Sequence, residues 1–302
     1  MLKTTSVQWE WEKVRYGLYA AMTESEHIDV GTKLAGRYEL VAELAHGGIG
    51  TVYQAVDSLG GGTVAVKVLH AHFLADDDMR RRFRREGAAL KALDHPAIVR
   101  LLELEVDRKG LVYLVTEYVQ GETLAERIAS NPLREGEADA LVEALCGGIG
   151  AAHAHGILHG DLKPANVLWG AQNEAVPRLV DFSASKILGL DRLTATGEIS
   201  GTPAYMAPEL LTGKTELDER IDVYGLGVLL YEALSGIPAF QDRHVGRLLM
   251  KIDAGDCLPL DAVADVSAGV AAVIARAMHS DKERRYSNME QIEEAWRHAR
   301  RL

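Results

Sequence analysis

A short polar run near the middle of the chain constrains its fold and chemistry more than any other feature. The run reads HGDLKPAN over residues 159–166, and Asp181 and Phe182 follow after a short strand-like segment. Carboxylates and an amide at this spacing offer hard oxygen ligands for Mg²⁺. A carboxylate can also take the proton of an attacking hydroxyl. The pattern therefore predicts a site for phosphoryl transfer from a metal-bound nucleotide.

Four side chains of this segment are assigned separate roles by their chemistry. Asp161 is the candidate proton acceptor, and Lys163 can neutralise charge on the moving phosphoryl group. Asn166 and Asp181 are the candidate Mg²⁺ ligands.

Hydrophobic periodicity divides the chain into a β-rich first part and a helical second part. The first part has strand-like runs and one helix-like run, at residues 38–44, 51–56, 63–69, 98–106 and 111–119, and at 76–93. The second part has helical spacing near residues 122–130, 135–155, 220–236, 243–254, 267–279 and 288–301. We predict an α+β fold with a β-rich small lobe (about 37–116), a connection (about 117–121) and a mostly helical large lobe (about 122–302).

Glycines between the first two strands predict a loop that approaches phosphates. Gly47, Gly48 and Gly50 allow backbone amides to come close to an anion. A further signal follows in the third strand, where Lys67 lies among apolar residues. Such a lysine needs an anionic partner, and Glu86 on the following helix is the natural candidate.

Charge and composition exclude several classes of protein. The formal net charge is −11, which argues against a general nucleic-acid binder. The basic run at 80–85 is interpreted as a solvated helix face. The two cysteines, Cys146 and Cys257, fit neither a disulfide framework nor a zinc site. The sequence has no signal-peptide core and no run long enough to span a membrane, so we expect a cytoplasmic protein.

Taken together, the motifs resemble those of the bacterial eukaryotic-like (Hanks-type) serine/threonine protein kinases. The resemblance covers roughly residues 37–300 and includes GTPAYMAPE at 201–209 and DVYGLG at 222–227. Lys163 and the GTP segment are similar to the Ser/Thr class rather than to the Tyr class. The resemblance implies the bilobal protein-kinase fold and transfer of the ATP γ-phosphate to Ser or Thr of protein substrates, with autophosphorylation.

The resemblance also implies roles for individual residues. Lys67, held by Glu86, would orient the α- and β-phosphates. Asp161 would be the catalytic base, and Lys163 would contact the γ-phosphate. Asn166 and Asp181 would hold Mg²⁺, with Mn²⁺ as an alternative ion. Further implied positions are the gatekeeper Thr116, the backbone of Glu117 to Val119 at the adenine, the apolar contacts Val52, Ala65 and Leu168, and a structural pair between Glu209 and Arg285.

Three positions depart from the family pattern. Ala45 replaces the first glycine of the loop, which is a mild change. Ser183 replaces the glycine after Asp181-Phe182 and should restrict the backbone there. Gly160 replaces the arginine that would meet a phosphorylated residue of the activation segment, so phosphate-driven ordering loses its main cation.

These departures keep two alternatives open. One is a pseudokinase scaffold that binds nucleotide with little or no turnover. The other is a small-molecule phosphotransferase, because HGD at 159–161 also occurs in such enzymes. The intact GTPAYMAPE segment, which builds a peptide-docking ledge in protein kinases, favours a protein substrate.

Two further segments carry predictions. Thr194 and Thr196 lie in the stretch that corresponds to the activation segment, and we expect them to be autophosphorylated. Residues 1–36 form a leader in which Val7, Trp11 and Val14 begin a helical spacing. Docking of this leader on a partner or on the small lobe, and an unordered tail, are both compatible with that pattern.

Overall fold

The structure is a computed structural model, and it describes residues 28–106, 110–170, 176–182, 203–212 and 217–301, without the side chains of Arg82 and Thr212. The predictions for the leader up to residue 27, for Ser183 and for Thr194 and Thr196 lie outside the described residues.

The chain divides into two compact units. The first contains Met1–Gly87 and Leu101–Tyr118, and the second contains Ala88–Arg100 and Val119–Leu302. The predicted small lobe of 37–116 included residues 88–100, which the structure groups with the second unit. The reason is a local one: Val99 N donates to Leu179 O (3.0 Å), and Leu179 N donates to Ala97 O (2.8 Å).

A six-stranded antiparallel sheet forms the first unit, in the order β1-β2-β3-β4-β6-β5. Its strands are β1 (Lys33–Leu34), β2 (Tyr38–His46), β3 (Gly50–Asp57), β4 (Thr63–Leu69), β5 (Leu101–Val106) and β6 (Val112–Glu117). Alternation explains why these segments are strands: along β4, Val64, Val66 and Val68 are buried, while Ala65 and Lys67 lie on the less buried face. The sheet confirms the five predicted strands and adds β1, which lies inside the predicted leader and buries Leu34.

One helix, α1 (Asp77–Ala92), lies among the described elements of the first unit and continues into the second. Phe83 is fully buried in a cluster with Leu69 and Leu114. The basic run at 80–85 lies on this helix. Arg80 and Arg81 pair with aspartates one turn earlier, which supports the interpretation of the run as a helix face.

The second unit is mostly helical. Its helices are α2 (Leu124–Ser130), α3 (Glu135–Ala154), α4 (Pro208–Thr212), α5 (Arg220–Ser235), α6 (Val245–Ala254), α7 (Ala268–Ala277) and α8 (Met289–Ala299). A small sheet of order β7-β8-β9 accompanies them, with β7 (Gly121–Thr123), β8 (Val167–Gly170) and β9 (Arg178–Leu179). Helix α5 is buried over nearly all of its length and forms the centre of the unit. No helix within the described ranges is long and apolar enough to cross a membrane.

A buried ion pair joins α4 to the segment before α8, as the family resemblance implied. Arg285 donates to both carboxylate oxygens of Glu209, at 2.7 and 2.8 Å. Its guanidinium also donates to the carbonyls of His279 and Ser280 and lies 4.8 Å from the ring centre of Tyr224. The bidentate geometry and the extra acceptors satisfy a charge that would otherwise destabilise the core.

Removing this arginine should therefore destabilise the fold strongly. Arg285→Ala leaves the Glu209 carboxylate buried without its cation, and we expect a loss of about 3–5 kcal/mol in the free energy of unfolding. Denaturant titration measures it, with the exposed neighbour Arg284→Ala as control, expected within about 0.5 kcal/mol of the parent protein. Equal stability of the two variants would contradict this account of the pair.

Candidate active site

Lys67 and Glu86 meet in the first unit as the sequence predicts. The Lys67 Nζ atom lies 2.8 Å from Oε1 and 3.0 Å from Oε2 of Glu86. Glu86 on α1 is buried, with 2% of its surface exposed. The lysine is thus held at a fixed point on the sheet face, with its charge partly balanced by one carboxylate.

The glycine loop between β2 and β3 contains glycines of two kinds. A side chain at Gly50 would bring its Cβ within 2.4 Å of the Val68 carbonyl oxygen, so glycine is required there for strand packing. Gly48 has open space around it. Gly47 N donates to Gly50 O at 3.0 Å and closes the turn. The loop therefore leaves backbone, rather than side chains, facing outward around Gly48.

Two of the predicted adenine contacts share a face with Lys67. Val52 on β3 is directly opposite Lys67 on β4, and Ala65 lies two residues before it. Both are half-buried, unlike their fully buried neighbours on the other face. They give the lysine an apolar surrounding suited to a planar ring.

The remaining predicted adenine contacts lie at the connection and in the second unit. Glu117 ends β6, Val119 is buried, and Leu168 on β8 is half-buried. Their contact with a nucleotide stays a prediction.

The catalytic-loop residues of the second unit are brought together around one carboxylate. Lys163 Nζ lies 2.9 Å from Asp161 Oδ2. Asn166 Nδ2 donates to the Asp161 backbone oxygen at 2.8 Å and contacts Oδ2 at 3.3 Å. A carboxylate flanked by an ammonium and an amide is oriented for accepting a proton from a hydroxyl placed beside it.

Asp181 lies next to this group through the backbone. Val180 N donates to Asn166 O at 3.0 Å, and Phe182 is fully buried with its ring 4.7 Å from that of His159. Asp181 has φ +63°, in the left-handed region that few non-glycine residues adopt. Such backbone strain is concentrated at functional sites, where the surroundings hold it in place.

The donor chemistry of Asn166 and Asp181 fits Mg²⁺. The Asn166 nitrogen is engaged by Asp161, which leaves the amide oxygen as the ligating atom. An amide oxygen and a carboxylate are the hard donors that Mg²⁺ binds. Within the described ranges, no group of three or more His, Cys, Asp or Glu side chains could hold a metal alone. A metal here would complete its coordination with phosphate oxygens and water, as Mg²⁺ usually does.

Asp222 anchors the catalytic loop, a role that sequence reasoning missed. Its carboxylate accepts from the backbone N–H groups of His159 (2.8 Å) and Gly160 (2.7 Å). His153 Nε2 lies 2.8 Å from the same carboxylate, whose residue is only 1% exposed. The one available signal was an acidic residue at the start of the apolar run 223–234, where an unpaired charge would be unfavourable.

A turn that precedes α4 is tied to α5. Tyr205, in the turn Pro203–Tyr205, donates its hydroxyl to Glu232. Burial raises the pKa of the Tyr205 hydroxyl, and the bond to Glu232 raises it further. Burial also raises the pKa of Glu232. This polar contact fixes the predicted peptide ledge on the core helix.

Comparison with known proteins decides the family. Residues 38–297 match the family model described as the protein kinase domain. The chain belongs to the protein kinase family. The predicted kinase fold, α+β with a β-rich small lobe and a mostly helical large lobe, is thereby confirmed, and the relatives identify a bacterial Hanks-type serine/threonine kinase domain.

Several bacterial kinases are similar to this chain. The chain is 33% identical over 268 residues to the probable serine/threonine-protein kinase PknB of Lactococcus lactis, covering 88% of this chain and 42% of that protein. It is 34% identical over 270 residues to Pkn2 of Myxococcus xanthus, covering 87% and 32%. Among solved structures, the PknI kinase domain of Mycobacterium tuberculosis matches with a TM-score of 0.71 and 28% identity, covering 91% of this chain and 99% of that one. The chain thus spans less than half the length of these two curated relatives.

Gly160 of this kinase domain has a backbone reason for being glycine. Its φ is +69°, and its N–H is one of the two that bind Asp222. An L-residue in the left-handed region is disfavoured by roughly 1–2 kcal/mol. Glycine at position 160 therefore avoids backbone strain in the loop. It also replaces the arginine that the family pattern has there.

A side chain at Gly160 should lower stability. We expect Gly160→Ala to lose about 1–2 kcal/mol in the free energy of unfolding. Gly136→Ala on α3 is the control, because that glycine has open space and no left-handed φ, and it should be neutral or stabilising by up to about 1 kcal/mol. Equal effects in denaturant titration would refute the backbone argument.

Gly160→Ala is also the matched control for Gly160→Arg, which should make activity more dependent on phosphorylation.

Proposed function

We propose that this domain transfers the γ-phosphate of ATP to Ser or Thr hydroxyls of protein substrates. The observation that carries the proposal is the Asp161 carboxylate, held between Lys163 Nζ at 2.9 Å and the Asn166 amide. A hydroxyl beside this carboxylate can lose its proton as it attacks phosphorus. Retention of this group supports an enzyme over the alternative of a pseudokinase scaffold.

The charged groups of the large lobe are suited to a developing negative charge. Lys163 can neutralise the charge that builds on the phosphoryl oxygens, because its ammonium lies beside Asp161, where the hydroxyl would attack. Asn166 and Asp181 would hold Mg²⁺, or Mn²⁺ as an alternative ion. A bound divalent ion would neutralise phosphate charge.

The small lobe supplies positioning. Lys67, held by Glu86, can orient the α- and β-phosphates, and the open backbone around Gly48 can donate to phosphate oxygens. Val52 and Ala65 provide the apolar surface for adenine. Catalysis by this arrangement comes from orientation and electrostatics rather than from a covalent intermediate.

We further propose a cytoplasmic role in signalling, since the transfer consumes ATP and leaves a phosphate on protein substrates. Autophosphorylation at Thr194 and Thr196 belongs to this proposal. A phosphate there would find no arginine at Gly160, so we expect it to change activity by no more than about tenfold, or about 1.4 kcal/mol.

Three substitutions test the proposed reaction. Asp161→Asn removes the proton acceptor, Lys67→Met removes the phosphate ligand, and Asp181→Asn removes a metal-ligating charge while keeping a residue that tolerates left-handed φ. Each should lower Mg²⁺-dependent transfer of radiolabelled phosphate to a generic basic protein by at least about a hundredfold. Lys91→Met, at an exposed position on α1, should keep the parent rate.

The same incubation distinguishes the alternatives. Mass spectrometry should find phosphate on Thr194 or Thr196 in the parent protein and none in Asp161→Asn. Nucleotide binding without transfer in the parent protein would support a scaffold instead. Transfer that survives in Asp161→Asn would overturn the assignment of the base.

A further inference from the structure

Three histidines lie together at the base of the glycine loop and are called the histidine cluster below. His46 ends β2, and His70 and His72 follow β4. The ring of His70 lies 4.8 Å from that of His46, with 25° between the two ring planes, and 5.6 Å from that of His72. Histidine is the side chain whose charge ordinarily changes near neutral pH, so the charge of this cluster depends on pH.

One hydroxyl joins two of these histidines. Thr51 Oγ1 lies 3.0 Å from His46 Nδ1 and 3.0 Å from His70 Nε2. Thr51 and His70 are buried, with 2% and 5% of their surfaces exposed, whereas His46 is exposed. A threonine hydroxyl has one proton to donate and lone pairs that accept. It therefore satisfies both rings as long as one of them is neutral, because it donates to the bare nitrogen of one ring and accepts from the N–H of the other.

The same side chains connect the two ends of the glycine loop. His46 and Thr51 are paired across β2 and β3, on either side of the loop. His70 N donates to Ile49 O at 3.0 Å, so His70 holds the second end of the loop through its backbone as well as through the Thr51 hydroxyl. The hydroxyl in turn holds His46 at the first end. The position of the open backbone around Gly48 is therefore set in part by the histidine cluster.

Protonation of both His46 and His70 opposes this arrangement. Each ring then directs an N–H at the same Thr51 oxygen, so the hydroxyl proton loses its acceptor within the cluster. Two positive charges also lie on rings whose centres are 4.8 Å apart, and like charges this close repel each other. Because His70 is buried, water hydrates its charge poorly while the ring stays in the cluster.

Charged side chains also lie on the elements around the histidine cluster. Lys67 on β4 pairs with Glu86 on α1 at 2.8 Å. Asp76 accepts from two backbone N–H groups at the start of α1, which also contains the basic run at 80–85. Glu43 is exposed on β2. Carboxyl, ammonium and guanidinium groups ordinarily keep their charge between about pH 5.5 and about pH 7.5, so the histidines are the groups whose charge changes in this range.

We propose that Thr51 and His70 position the glycine loop for the nucleotide, and that the loop is released when His46 and His70 both carry a proton. The inference rests on the proposed function and adds two positioning residues and a pH dependence to it. Release separates the two charges and exposes them to water, so added protons favour the released state. Nucleotide binding is therefore strongest above the ordinary histidine range and weakens as the pH falls below about 6.5.

Nucleotide affinity at two pH values tests the proposal. The dissociation constant of adenylyl imidodiphosphate, a non-hydrolysable ATP analogue, is measured with Mg²⁺ and the full chain at about pH 7.5 and about pH 5.5. His46→Asn is the matched variant, because an amide can still contact the Thr51 hydroxyl but takes up no proton. The loss of affinity at the lower pH should be at least about fivefold larger in the parent protein than in His46→Asn. Titration of the nucleotide phosphates affects both proteins equally.

Substitutions at and away from the cluster complete the test. Thr51→Val keeps the shape of the side chain and removes the hydroxyl, so it should weaken binding by about fivefold at the higher pH and remove most of the pH dependence. Thr51→Ser keeps the hydroxyl and should retain both properties. His298→Gln, at an exposed histidine on α8, should also keep the pH dependence of the parent protein. Equal pH dependence in the parent protein and His46→Asn, or parent-like affinity of Thr51→Val at the higher pH, would overturn the proposal.

The loop itself provides a measurement that requires no nucleotide and no turnover. In nucleotide-free protein with isotope-labelled glycine, the amide resonances of Gly47, Gly48 and Gly50 should change between the two pH values in the parent protein and stay in place in His46→Asn. That result supports release of the loop even if the domain transfers no phosphate, which separates this inference from the proposed function. Unchanged resonances in the parent protein, or equal changes in His46→Asn, would overturn the release.

Discussion

The buried carboxylate of Asp222 is the interaction on which the catalytic loop depends. It accepts two backbone N–H groups from His159 and Gly160, and it lies 2.8 Å from His153 Nε2. A buried carboxylate without partners would be strongly unfavourable, so the loop and α5 stabilise each other. Because α5 is the most buried helix described in its unit, the position of Asp161 is fixed by the core of the domain.

The first unit uses a similar device. Glu86 is buried, and Lys67 is its cation at 2.8 Å. Here the alternation of β4 does the positioning, since it buries Val66 and turns Lys67 to the other face. In each unit a buried carboxylate thus orients a neighbouring group. Asp222 holds the backbone of the catalytic loop, and Glu86 holds the side chain of Lys67. Each unit thus holds its own candidate residues through contacts within that unit.

Much of the fold could be predicted because the decisive signals are local or belong to ordered motifs. Hydrophobic spacing located the helices described in the second unit except α4, and the family resemblance paired Glu209 with Arg285. The contacts of Asp222 could not be predicted from spacing, because they join residues about 60 positions apart. The left-handed backbone at Asp181 was also missed, since the sequence does not report φ for a non-glycine residue, and the glycine at position 160 was interpreted only as the loss of an arginine. Strand β1 contains only two residues, too few for periodicity to detect.

Hydrogen exchange in Asp222→Asn tests most directly whether Asp222 holds the catalytic loop. The amide group keeps the shape of the carboxylate but sets a donor against one of the two backbone N–H groups that it must accept. We predict faster exchange at residues 159–161, unchanged exchange in the first unit, and a fall in kcat with little change in the KM for ATP. Unchanged protection at residues 159–161, with a parent-like rate, would show that Asp222 does not hold the loop.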